Sequence, residues 1–440
     1  MKTSINALAI ALAAIAISAP AAAQYGMPAP PPQPQSTTGA QSGAQTKEEA
    51  LPQGIPGQGA TTTGRKIDTS KMSKQFMKAI VELQNAVNAK DTASIPGKLA
   101  AASAIAKAPE EKFLVASNQT RAALDANDNA AIRAGIDAMR ASGAAETPDL
   151  VARYNNLGKR YYDAKQHDLA AGAFEQSLSV DPNNSDALKL LASLRDAQGR
   201  KAEAVALMAK SLTAAKAAGI KPKENDYKFA ARIAYDSKAP GAAEITRAWL
   251  SDYPTSTNWR DALRIYRDVN ALDGDAKIDV LRLARAANAL VGEGDYFGYV
   301  NELVTRGYLN EAKAVLDEGA AKKAIDVTKA AFKQFAPKLA KAPSRATVDA
   351  AAKAAAGGSG KAAMEAGDTL YGLGAFAEAA PLFKAAATKG GVDANLANLR
   401  LGMALARAGD KAGATAALNA VSGPQAGTAK YWLIWVNAQA

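Results

Sequence analysis

The sequence predicts an all-α protein: an α-α superhelix of stacked helical hairpins, preceded by a signal peptide and a disordered Pro/Gln-rich tether. Three observations predict it. The composition is alanine-rich, apolar residues recur at helical spacing from about residue 66 onward, and small residues return at a fixed interval. The chain is 48% apolar yet only 6% aromatic, and alanine fills most of the gap. Alanine has the highest helix propensity, whereas a sandwich or barrel needs β-branched and aromatic residues. A chain of 440 residues suits roughly two to three average domains or one extended array.

Residues 1–23 read as a secretory signal. Lys2 precedes an apolar run from Ile5 to Ser18, and Pro20 and Ala21-Ala22-Ala23 stand before Gln24 as a small-residue cleavage site. The run is shorter than the ~20 residues that span a bilayer. With no cysteine to carry a lipid, the expectation is a periplasmic or secreted bacterial protein, not a lipoprotein and without a transmembrane span in its mature form. Residues 24–66 form the tether, and seven of the nineteen prolines lie there. Such a stretch cannot bury enough apolar surface to offset its ordering entropy. It should be polyproline-like from Pro28 to Pro34 and flexible beyond.

Residues 67–145 read as N-terminal helical hairpins. Phe76, Ile80 and Leu83 share one helical face, and a helix is expected near Lys98 to Lys107. Pro109, Glu110 and Glu111 make a helix start, with proline at the first position and carboxylates at the positive end of the dipole.

The repeats occupy 146–320 and, after a basic helical or flexible connector at 321–360, resume at 361–440. In a 34-residue frame begun at Val151, Tyr154, Leu157, Gly158 and Tyr161 fall at places 4, 7, 8 and 11. Ala170, Phe174, Ser177 and Pro182 follow at places 20, 24, 27 and 32. Gly158 and Ala170 are small enough for two helices to cross closely, and Leu157, Tyr161 and Phe174 fill the space beside the crossing. Pro182 stops the second helix, because proline disfavours helical geometry in the residue before it. The next frame repeats the pattern with Leu188, Leu191, Ala192, Ala204 and Met208. Gly367, Leu370, Ala379 and Phe383 repeat it again, as do Leu401, Gly402, Leu405, Ala414 and Leu418. Between these pairs it decays: Phe229, Ala230, Ile233 and Ala242 make one degenerate repeat, and Tyr296, Leu303, Ala312 and Leu316 another. A closing helix with Tyr431, Trp432, Ile434 and Trp435 should cap the last repeat.

This pattern resembles the tetratricopeptide repeat, strongly over 150–215 and 360–421 and weakly over most of 67–440. Narrower stretches such as Asn258-Trp259-Arg260-Asp261 and Lys430-Tyr431-Trp432 resemble exported repeat proteins of α-proteobacteria without assigned activity. The resemblance implies a concave groove lined by each first helix, which binds a protein or peptide partner. It places Asn155, Lys159 and Tyr162, then Lys189 and Ser193, on that groove, where they suit a peptide backbone or terminal carboxylate. In the C-terminal pair the same places hold Met364, Tyr371, Leu399 and Met403, a greasier groove open to filling by the protein itself.

No reaction emerges from the residues. A single histidine, His167, excludes a His-cluster metal site, and it is expected in a solvated turn. There is no G-x-S-x-G elbow and no S-x-x-K. The stretch Ala355 to Ala362 is only superficially a phosphate loop, lacking its first glycine, its hydroxyl and a preceding strand. It reads as a flexible joint. Glu48-Glu49 and Glu110-Glu111 are sequence neighbours and so point apart. The expectation is a non-catalytic protein with no cofactor and no metal.

The formal net charge is +11. Nine cations crowd 322–361 (Lys322, Lys323, Lys329, Lys333, Lys338, Lys341, Arg345, Lys353 and Lys361), opposed there only by Asp326 and Asp349. Phe332, Phe335 and Leu339 share a helical face within it. Either these lysines solvate alanine-rich helices, or they attract an acidic envelope polymer or anionic headgroups. Nucleic acid is not expected as a partner, since no aromatic-interleaved basic motif appears. Two functions are therefore carried forward. One is a protein-binding scaffold of the cell envelope. The other is an accessory protein binding acidic glycan through the basic region.

Overall fold

Alanine-rich helices closed by short polar caps build this molecule. The computed structural model describes residues 60–62, 65–239, 241–272 and 274–439. The signal peptide read at 1–23 and most of the tether read at 24–66 lie outside the described residues. The tether's last part departs from the expected coil. Ala60–Thr62 (β1) and Arg65–Ile67 (β2) pair as a short antiparallel hairpin, in keeping with the extended preference of threonine and isoleucine. Among the described residues, every later element is a helix.

Four helices follow as two hairpins: α1 (Lys74–Asn88) with α2 (Ile95–Ile105), and α3 (Pro109–Asp125) with α4 (Asn129–Ala141). Phe76, Ile80 and Leu83 are buried along α1. Pro109 is the first residue of α3, and Glu111 accepts the backbone N–H groups of Lys107 (2.7 Å) and Ala108 (3.0 Å). That carboxylate therefore caps a helix.

The repeats proper are α5 (Thr147–Asp163) with α6 (His167–Val180), and α7 (Ser185–Ala197) with α8 (Lys201–Ala217). Helix α6 ends at the residue before Asp181-Pro182. Asn184 then caps α7 by accepting the Ala187 N–H at 2.9 Å. Next come α9 (Glu224–Asp236), α10 (Ala242–Asp252), α11 (Ser256–Val269), α12 (Gly274–Ala286), α13 (Gly292–Arg306) and α14 (Leu309–Ala321).

The basic connector is helical only in pieces. It forms two single turns, α15 (Ala330–Lys333) and α16 (Ala336–Leu339), then α17 (Arg345–Gly357). Phe332 and Phe335 are buried, both packed on Phe297 of α13. The joint expected near Ala355 to Ala362 is a tight capped turn, since Ser359 accepts the Ala362 N–H and starts α18 (Gly360–Gly372). Helices α19 (Phe376–Lys389), α20 (Ala394–Ala408) and α21 (Lys411–Asn419) complete the C-terminal pair, and α22 (Ala426–Ala438) ends the chain.

A simple solenoid contacts only its sequence neighbours. This one folds back. Helix α22 lies on α10 and α12, and α14 lies on α18. The Tyr431 hydroxyl is 2.6 Å from Thr246 Oγ1 and donates to the Ala243 carbonyl at 3.2 Å. Its ring sits 4.7 Å from that of Tyr266. In consequence one apolar core runs from α8–α12 into α17–α22, beside a second core under α1–α7 and a third under α12–α16.

Candidate functional site

The two clear repeat pairs are built alike at their crossings. A Cβ on Gly158 would overlap the Phe174 ring. On Gly367 it would lie 2.9 Å from Phe383, and on Gly402 2.5 Å from Leu418. Ala170, Ala379 and Ala414 are fully buried in the facing helices. The pairs differ in what covers the groove side of each first helix.

On α5 and α7 that side is largely open. Lys159, Tyr162 and Ser193 are exposed, and Lys189 is half-buried between Asp186 (3.5 Å) and Asp226 (3.6 Å). Asn155 is not a free groove amide. It is buried, with its amide near Asn184 Oδ1 at 3.4 Å, because it braces the turn that enters α7. His167 also departs from expectation: it is the half-buried first residue of α6, edge-on to Tyr162 with ring centroids 5.5 Å apart.

On α18 and α20 that side is closed. Met364, Tyr371, Leu399 and Met403 are all buried. Beside Tyr371 lies a set of buried charges that no repeat pattern signals: Asp279 and Arg282 on α12, Glu311 on α14, Asp368 on α18 and Arg400 on α20. Arg282 contacts Asp279 (3.0 Å), Glu311 (2.7 Å) and Asp368 (3.4 Å). Arg400 contacts Asp368 (2.5 Å) and Asp279 (3.3 Å), and Tyr299 donates to Glu311 at 2.6 Å. The Arg282 guanidinium also stacks over Tyr371, 4.8 Å from its centroid.

Burial opposes the charge of Arg282, but Glu311, Asp368 and Asp279 outweigh it and hold its pKa above the usual arginine value. Burial likewise favours the protonated Glu311, and Arg282 outweighs it, so that carboxyl titrates below the usual range. At Asp368 burial wins over Arg400 and Arg282, and the carboxyl is pushed up. The only sequence trace of this network is Asp279 and Arg282 falling three apart within the otherwise apolar stretch Ile278 to Ala284 of α12.

Within the basic region, Lys322 pairs with Glu318 (2.8 Å), Lys329 with Glu293 (2.6 Å) and Arg345 with Asp349 (2.7 Å) and Glu378 (2.5 Å). Lys323, Lys333, Lys338, Lys341 and Lys353 are exposed and make no ion pair among the described residues. Beside them, between α14, Pro343 and α18, a cleft of about 270 Å³ is lined by Tyr308, Glu311, Glu365 and Asp368. Among the described residues no group of three His, Asp or Glu side chains is placed to hold a metal, and no helix is long and apolar enough to cross a membrane.

Helical hairpins nesting through small residues, with one groove open and one closed, define an α-α superhelix. The tetratricopeptide repeat family matches residues 155–219 and 364–426, that is, the α5–α8 segment and the C-terminal pair. No curated protein matches the chain.

Proposed function

We propose that this chain is a non-catalytic interaction scaffold of the bacterial cell envelope, holding an extended segment of a protein partner in the groove of α5 and α7. The observation that carries this reading is the open groove side of a matched repeat pair, with Lys159, Tyr162 and Ser193 exposed along it. Ammonium, phenol and hydroxyl groups in a row suit a peptide backbone or carboxylate. Placement in the envelope rests on the leader read at residues 1–23.

Crosslinking the mature chain in a periplasmic extract tests it. Lys159→Glu combined with Lys189→Glu should abolish capture of the partner while the circular dichroism stays unchanged. Capture at the original level would reject the groove.

A second reading is favoured by the five lysines between Lys323 and Lys353 that make no ion pair among the described residues: an acidic envelope glycan bound on that face. Exposed charges lose their attraction beyond a screening length of about 8 Å at physiological salt. Binding to an acidic glycan should therefore fall steeply as salt rises, and indifference to salt would count against it.

A further inference from the structure

We infer that the open groove of α5 and α7 runs on over α9 to α11, and that it holds an extended acidic segment of the protein partner with one carboxylate on Lys159 and another on Arg267. This inference rests on the groove reading of α5 and α7 and adds the partner's chemistry and length.

Contacts between side chains carry the groove from helix to helix. Lys189, Ser193 and Asp196 follow one another along one face of α7. From α9, Asp226 reaches Lys189 at 3.6 Å and Arg232 reaches Asp196 at 2.7 Å. Helix α9 meets α11 in the same way. The Tyr235 hydroxyl donates to Asp268 at 3.2 Å, and the Arg264 guanidinium lies 5.7 Å from the centre of the Tyr235 ring. Arg260, Arg264 and Arg267 recur at one-turn spacing and so share a face of α11.

The middle of this polar face neutralises itself. Lys189 sits between Asp186 and Asp226, and Arg232 between Asp196 (2.7 Å) and Asp236 (3.3 Å). Its two ends do not. Lys159 on α5 is exposed, Arg267 on α11 is half-buried, and neither makes an ion pair among the described residues. The acids whose fields reach Arg267 serve other groups: Asp268 accepts Tyr235, and Asp295 accepts the Val291 N–H (2.8 Å) beside Arg260 (3.4 Å). Burial pushes the Arg267 guanidinium below the usual arginine value, and those acids do not restore it. A half-buried arginine without its own acid favours an incoming carboxylate, which it can hold through two parallel N–H···O bonds. The face therefore asks for negative charge at both ends and none between. Three steps between packed helices at about 8–10 Å each span roughly 25–30 Å, which about eight residues of extended chain cover.

A labelled, end-capped peptide of about eight residues tests this, with glutamate at both ends and serine between. Fluorescence anisotropy should show binding to the full chain, and glutamine for either glutamate should weaken it at least about tenfold. Arg267→Gln should weaken it equally, and on that variant one of the two glutamates should cease to matter. No binding, an unchanged affinity for Arg267→Gln, or both glutamates still counting on that variant would overturn the inference. Displacement by polygalacturonate at equal carboxylate concentration would make the occupant a glycan and overturn it too. Partner capture lost with the Lys159→Glu and Lys189→Glu pair but untouched by Arg267→Gln leaves the groove of α5 and α7 standing and removes only its extension. Capture untouched by either removes both. If Arg267→Gln does not fold, a photoreactive group beside each glutamate decides on the unchanged chain. Crosslinks to α5 and α11 support the inference, and crosslinks elsewhere overturn it.

Discussion

Gly158 has no side chain because the Phe174 ring occupies the space a Cβ would need. Alanine there gains up to about 1 kcal/mol of helix propensity but overpacks the crossing, which costs about 1–3 kcal/mol. Gly158→Ala should therefore destabilise the chain, as should Gly402→Ala against Leu418. Gly298→Ala, within α13 and with nothing within 4 Å, should stabilise it by up to about 1 kcal/mol. Urea midpoints of the three variants check these signs. Arg400 poses the opposite problem, a charge that must stay. Arg400→Met leaves Asp279 and Asp368 buried without that counter-ion and should cost about 3–5 kcal/mol in the same titration. The glycines were legible in the sequence, because a missing side chain at a fixed interval has one packing explanation. Arg400 was not: it lies between two groove places, and its partners Asp279 and Asp368 are 121 and 32 residues away.

At the scale of elements, caps and breakers wrote most helix boundaries into the chain. Pro109 starts α3 and Asp181-Pro182 ends α6, as their backbone restrictions require. The basic connector was less legible. Its phenylalanines have helical spacing, yet Phe332 and Phe335 bury onto Phe297 from two separate turns, because proline at 337 and 343 interrupts any longer helix.

The buried carboxylates give the elements a pH dependence of determined sign. Glu311 titrates below its ordinary 4.5 in the folded chain, so its stabilisation is complete above about that pH and drains as pH falls through the folded value. Asp368 is raised above 3.8, so its protonation favours the folded state, and this gain is lost as pH rises through the raised value. Denaturant titrations from about pH 7 to about pH 3 should therefore show an acid limb that Glu311→Gln flattens and Asp368→Asn steepens. A limb unchanged by Glu311→Gln would mean that Arg282 does not hold that carboxylate.

For the whole molecule, local pattern predicts nested hairpins, and nested hairpins alone would give an open curved rod. The fold-back was not legible, because it rests on contacts between residues far apart in sequence with no shared motif. Tyr431 and Trp432 were readable as a cap for the last repeat. Their larger role, seating α22 against α10, depends on Thr246 and Tyr266 in helices whose repeat signature has decayed. The fold-back also decides which groove is free, leaving α5 and α7 open while α14 packs on α18.

Thr246 and Tyr431 lie 185 residues apart and touch through their hydroxyls, so a double-mutant cycle with Thr246→Val and Tyr431→Phe tests the closure most directly. Contacting residues couple by about 0.5–3 kcal/mol, whereas distant ones add independently. A coupling energy within that range is expected from denaturant unfolding of the four chains. Strict additivity would contradict the closed arrangement and restore the open rod.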